Sequence, residues 1–270
     1  MTRLTLTKHH GLGNDFLVAF EPPVDDAADL ADLARRLCHR TRGIGADGLL
    51  VGTPEDGYAA RMVLFNADGS RAEMSGNGIR CFAQAIVRRR GDFGEQTILT
   101  DAGPRRIEVR PTEDPSTILA SVDMGPVGEL PEPAGWAAIG TNPDRPVAHL
   151  DLGNPHTVVA VDDVAGVDLL TLGRQVPDVN LEIISPGPER DAITMRVHER
   201  GAGITEACGT GAAAAAWAAS DWGLVDRTSA ELTVHMDGGD ARVALHVPGP
   251  GRVTLTGPAT FVGTIEIPLP

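Results

Sequence analysis

The sequence predicts an α/β (α+β) fold built as two similar halves, and three observations carry that expectation. Segments rich in β-branched residues or alternating in polarity outnumber helical patterns several times over. Only three stretches read as strong helices. The Gly-rich turn Ser75-Gly76-Asn77-Gly78 recurs as Cys208-Gly209-Thr210-Gly211, each time between a strand signal and a helix. A Gly-Asn pair, Gly13-Asn14 and Gly153-Asn154, precedes each turn by roughly fifty to sixty residues, so the repeat extends beyond one motif.

Taken in order, residues 3–8, 16–20, 58–66, 117–123, 146–153, 192–198 and 231–235 read as strands. Asp237-Gly238 is a hairpin signal between 232–235 and 241–247. The first helix, 27–38, places Leu30, Leu33, Ala34 and Leu37 on one stripe. The other two, 79–89 and 210–222, follow the Gly-rich turns. The Pro-, Glu- and Asp-rich stretch at 111–116 suits a boundary, giving halves 1–114 and 115–257. The final strand, about 258–270, can return to either half, the first included.

Composition narrows the function. The 270 residues suit two domains of about 100–150 each. With 23 Lys and Arg against 37 Asp and Glu, the net charge of −14 repels a nucleic-acid backbone, so no nucleic-acid partner is expected. Lys8 is the single lysine. A P-loop lacks its Gly-Lys-Ser/Thr, and a pyridoxal Schiff base has no better candidate than a residue at a strand edge. Three scattered cysteines, Cys38, Cys81 and Cys208, form neither a disulfide framework nor a zinc site, and no metal or cofactor is expected. Residues 1–8 alternate like a strand rather than a signal peptide, and no run reaches the ~20 apolar residues of a membrane span. The expected setting is cytoplasmic, without membrane contact.

A Gly-rich turn at a helix start presents backbone N–H groups and the positive end of the helix dipole, which suits a small carboxylate. Cys208 stands on such a turn, where the same field favours the thiolate. A lone cysteine in an apolar helix is commonly a buried core thiol, but flanking glycines serve no purpose there.

Asn66-Ala67-Asp68-Gly69-Ser70, Glu73-Met74-Ser75-Gly76-Asn77-Gly78-Ile79-Arg80-Cys81, Gly153-Asn154-Pro155-His156, Glu199-Arg200-Gly201-Ala202-Gly203 and Glu206-Ala207-Cys208-Gly209-Thr210-Gly211 closely resemble the diaminopimelate epimerase family. The resemblance runs from Gly11-Leu12-Gly13-Asn14-Asp15-Phe16 to the end of the chain. It implies two pseudo-symmetric domains, each a mixed β-barrel-like sheet around a central helix, with the active site in the cleft between them. It also implies a cofactor-independent isomerase interconverting LL- and meso-diaminopimelate for lysine and peptidoglycan-precursor synthesis, by removing the α-proton on one face and returning one on the other.

By position, Cys208 matches one catalytic acid/base and Ser75 the other, where the family has cysteine. His156 matches a position that assists the cysteine chemistry. Asn14, Asn66, Asn154 and Asn180 match substrate-contacting asparagines. Gly76, Asn77, Gly209 and Thr210 match the amide cradles. Arg200 matches the residue for the distal carboxylate and Glu199 one that anchors the distal amine and tunes the site. Gly48 stands where some members carry a substrate-contacting glutamine. A serine hydroxyl is a far weaker acid than a thiol, and Ser75 leaves three readings: an engineered change, a lineage that works with serine, or lost epimerase activity. Alternatives are a proline- or hydroxyproline-type racemase of the same superfamily and a non-catalytic amino-acid-binding homologue. The expected partner is small-molecule diaminopimelate, with the chain a possible homodimer.

Overall fold

The computed structural model describes residues 3–22, 26–140, 142, 144–226 and 228–268. It is a mixed α/β structure of two compact units, Met1–Val122 with Gly257–Pro270, and Asp123–Thr256. The stretch at 111–116 is the turn between two paired strands of the first unit.

In the first unit, Arg3–Gly11 and Asn14–Phe20 form a hairpin. Leu12 and Gly13, both at positive φ, make its two-residue turn. Asn14–Phe20 runs parallel to Gly48–Thr53, which turns back antiparallel along Ala60–Asn66. Ala60–Asn66 pairs with the short Arg71–Ala72 and, in parallel, with Gly94–Thr100. Gly103–Pro111 and Thr117–Pro126 follow as antiparallel neighbours, and the long Arg252–Pro268 joins Thr117–Pro126 to Arg3–Gly11. Eight strands thereby close a barrel.

The second unit repeats the succession. Val147–Asp151 and Pro155–Ala160 form a hairpin, and the latter runs parallel to Asn180–Pro186. Ala192–Glu199 is antiparallel to that strand, to the short Gly203–Thr205, and parallel to Glu231–Met236. Glu231–Met236 turns at Asp237-Gly238 into Gly239–Leu245, as the hairpin signal predicts.

Helix α1 (Ala27–Cys38) lies outside the first barrel, its Leu30, Leu33, Ala34 and Leu37 packed on Leu4, Leu6, Leu17, Leu49 and Phe65. Truncating one such leucine to alanine typically costs about 2–5 kcal/mol. Helix α2 (Gly76–Arg90) is buried on every face from Gly76 to Val87 and packs against strands of its own barrel. After the single-turn α3 (Leu169–Gly173), α4 (Gly209–Trp222) fills the corresponding place in the second unit. Its row of alanines, buried all round, lets the strands approach the helix closely. Strands between two layers bury both faces: Leu49 and Val51 face α1, whereas Leu50 reaches α2.

Candidate functional site

Ser75 and Cys208 are the N-caps of α2 and α4. Ser75 Oγ accepts from Gly78 N at 3.0 Å, and Cys208 Sγ accepts from Gly211 N at 3.3 Å. A side-chain acceptor at a helix start satisfies one of the first four unpaired amides. Gly76-Asn77 and Gly209-Thr210 therefore open the helices themselves, three residues and one residue earlier than their periodicity suggests. Both pairs are buried.

Around Cys208 the second unit gathers most of its predicted residues. His156 is fully buried, with Nδ1 2.7 Å from Glu182 Oε1 and Nε2 3.0 Å from Asn154 Oδ1. Asn154 Nδ2 donates to Thr210 Oγ1 at 3.2 Å, and Thr210 Oγ1 lies 3.5 Å from Cys208 Sγ. Glu199 accepts from Thr205 Oγ1 and lies close enough to Cys208 for its charge to act on the thiol. A continuous chain of polar groups thus runs Glu182–His156–Asn154–Thr210–Cys208, with the charge of Glu199 acting on its end. Asn180 Oδ1 accepts from Arg200 N at 2.9 Å and so fixes the backbone that carries Arg200.

Electrostatics here depart from expectation. The helix field was expected to favour the Cys208 thiolate. Burial first, and then the charges of Glu199 and Glu182, push the Cys208 thiol well up, against the donors Thr210 and Gly211. Cys208 therefore rests as a thiol. Burial also pushes Glu199 up to about 7, which makes it a proton acceptor at neutral pH. Cys38 and Cys81 are buried core thiols, pushed up to about 12 by burial.

Ser75 has a different setting. Asn14 donates to Asp47 Oδ2 at 2.7 Å and accepts from Asn77 Nδ2 at 3.2 Å; Asn77 Oδ1 in turn accepts from Arg80 at 2.7 Å. Asn66 is only partly buried and donates to Ser70 Oγ at 3.0 Å, apart from that chain. At Gly48 an added Cβ would sit 2.8 Å from Phe65 O and 3.2 Å from Phe16 Cδ1, so the backbone leaves no room for a glutamine there without a shift.

Glu182, Thr205, Asp47 and Arg80 escaped the sequence reading. Glu182 carried a signal, being a lone acid inside the apolar run Leu181 to Ile184. Among the described residues no cluster of three or more His, Cys, Asp or Glu is arranged to hold a metal ion, and no helix is long and apolar enough to cross a membrane.

A family profile described as Diaminopimelate epimerase matches residues 6–129 and 149–262. A diaminopimelate epimerase of Moorella thermoacetica is 39% identical over 283 residues, covering 97% of this chain and 98% of the relative. One from Desulfitobacterium hafniense is 37% identical and covers 96% of each. Among solved structures, a Bacillus anthracis phenazine biosynthesis protein of the PhzF family superposes with a TM-score of 0.75 at 15% identity, covering 100% of both chains. A hydroxyproline epimerase from Agrobacterium vitis does so with a TM-score of 0.71 at 14% identity, covering 99% of this chain and 91% of its own. At those identities the likeness is one of fold alone.

Proposed function

Because the chain belongs to the diaminopimelate epimerase family, an isomerase family acting on a small molecule, we propose that Cys208 is its working base and that Glu199 arms it. The supporting observation is the thiol of Cys208, capping α4 and held by Gly211 and Thr210, within reach of the charge of Glu199, whose carboxyl is raised by burial to about 7. Glu199 takes the thiol proton. The thiolate is held by the Gly211 amide, the Thr210 hydroxyl and the positive end of α4. It then removes the α-proton of diaminopimelate. Charge that develops on the α-carboxylate is stabilised by the first-turn amides of Gly209 and Thr210. Ser75 stands as the second acid/base, and its hydroxyl is a weak one.

Arg200 takes the distal carboxylate as a bidentate, charge-assisted pair. Asn14, Asn66, Asn154 and Asn180 complete the binding shell, and His156 supports the cysteine through Asn154. The two units serve as the two halves of the epimerase. The enzyme works in the cytoplasm as a homodimer, without a cofactor.

Calorimetry tests the substrate assignment. Diaminopimelate should bind and alanine, which lacks the distal end, should not bind measurably, since losing a buried charged pair costs about 2–5 kcal/mol. Comparable affinities for the two would contradict the assignment.

A further inference from the structure

Glu182 lies in strand Asn180–Pro186, in parallel register with Val158, and is fully buried. Its Oε1 meets His156 Nδ1, and its Oε2 has no hydrogen-bond partner among the described residues. Three titratable groups face it from the elements packed around it: His156 from Pro155–Ala160, Glu199 from Ala192–Glu199, and Cys208 at the start of α4. The start of α4 comes so close that a Cβ on Gly211 would lie 2.6 Å from Glu182 Oε1.

The polar chain has a direction. Asn154 gives its amide N–H to Thr210, so its carbonyl oxygen faces His156 and must receive a proton from Nε2. Thr210, already an acceptor from Asn154, is then free to aim its own O–H at Cys208 Sγ. With Nε2 protonated, the contact between Nδ1 and Glu182 must hold one more proton, on the ring or on the carboxyl.

We propose that Glu182 is a positioning residue: the proton it shares with His156 keeps Nε2–H on Asn154 and thereby keeps the Thr210 hydroxyl donating to the sulfur of Cys208. When that proton leaves to solvent, the neutral ring keeps its hydrogen on Nδ1, toward the carboxylate. Nε2 becomes an acceptor, the Asn154 amide turns over, and Thr210 donates to Asn154 instead of to sulfur. The thiolate loses a donor. Burial holds the proton of Glu182 above the ordinary carboxylate range, and the partnerless Oε2 favours a neutral carboxyl.

This inference rests on the reading of Cys208 as the base, and the experiment separates the two. The α-proton exchange of meso-diaminopimelate in D₂O is followed against pH for the wild type, Glu182→Gln, Glu182→Leu and Cys208→Ala. In parallel, ¹⁵N spectra report which ring nitrogens of His156 are protonated. A glutamine can donate to Nδ1 but carries no titrating proton. The alkaline limb of the profile should therefore move up by at least about one pH unit in Glu182→Gln. His156 Nε2 should lose its hydrogen through that limb in the wild type and keep it in the variant. Leucine leaves Nδ1 without a partner, so exchange should fall at least about tenfold at every pH, with glutamine restoring part of the loss. Superimposable limbs for the wild type and Glu182→Gln, a bare Nε2 in the wild type below the limb, or equal losses in Gln and Leu would overturn the role of Glu182. Exchange that survives Cys208→Ala would overturn the underlying reading as well.

Discussion

The first turns of α2 and α4 are set in matching frames of strands, and the side chains that the frames supply differ in kind. Asn14 and Asn154 correspond at the hairpin turns. Phe16 pairs with Gly48 as His156 pairs with Asn180, and two residues along, Leu50 stands where the second unit has Glu182. Gly48 pairs with Asn66, whereas the register of Leu181 with His198 puts Glu199 across from Asn180. Phenylalanine, leucine and asparagine thus occupy the places of histidine and two glutamates. Cys208 has a carboxylate to take its proton and a polar chain to hold its sulfur. Ser75 has neither. One barrel served twice can host an armed base or an unassisted one, depending on three inward positions.

The largest test of this difference is substitution of the two caps. Cys208→Ala should lower α-proton exchange by about 10²–10⁴-fold, the usual contribution of a positioned acid or base, whereas Ser75→Ala should leave exchange at Cys208 within a few fold. Equal losses measured by NMR would make the two ends equivalent. A smaller contrast lies at the third helical residue. Gly211→Ala drives a Cβ against Glu182, while Gly78→Ala meets only the Ser75 side chain and Leu50 at 3.1–3.4 Å. Chemical denaturation should show a loss of about 1–3 kcal/mol for Gly211→Ala and clearly less for Gly78→Ala.

The units should also respond to pH in opposite ways. In the first, burial lowers His9 to about 4 from 6.5. The unfolded chain therefore takes up a proton that the fold refuses, and stability present above pH 6.5 is lost as pH falls toward 4, by up to about 3 kcal/mol. In the second, burial raises Glu199 to about 7 from 4.5, so stability present below pH 4.5 is lost as pH rises toward 7. Hydrogen exchange resolved by unit should show both slopes. His9→Gln should flatten the first slope and Glu199→Gln the second, and slopes of the same sign would contradict the assignment.

The legibility of this molecule followed the same division. The two caps were readable because glycines around a helix start have few other uses, and the alternating outer strands were readable from their period. Gly48–Thr53 and Asn180–Pro186 were not, since strands covered on both faces present continuous apolar runs that periodicity cannot tell from helix. Gly94–Thr100 and Gly103–Pro111 were hidden by outward Arg and Glu residues. Glu182 shows an acid among aliphatics, but His156, its partner 26 residues upstream, arrives only through the parallel pairing of their strands. The sign of the Cys208 shift was likewise beyond the sequence. A helix field is local, whereas the burial and the two carboxylates that outweigh it are assembled by the barrel.

The claim that one end is armed and the other is not can be measured in a single experiment. Each stereoisomer of diaminopimelate is incubated in D₂O with the wild-type protein and with Ser75→Cys, and α-deuteration and inversion are followed together. In the wild type, deuterium should enter the stereoisomer whose α-proton faces Cys208 much faster than that stereoisomer inverts. Ser75→Cys should raise inversion by about 10²–10⁴-fold, toward the rate of exchange. Inversion that keeps pace with exchange in the wild type, and that Ser75→Cys leaves unchanged, would contradict the account.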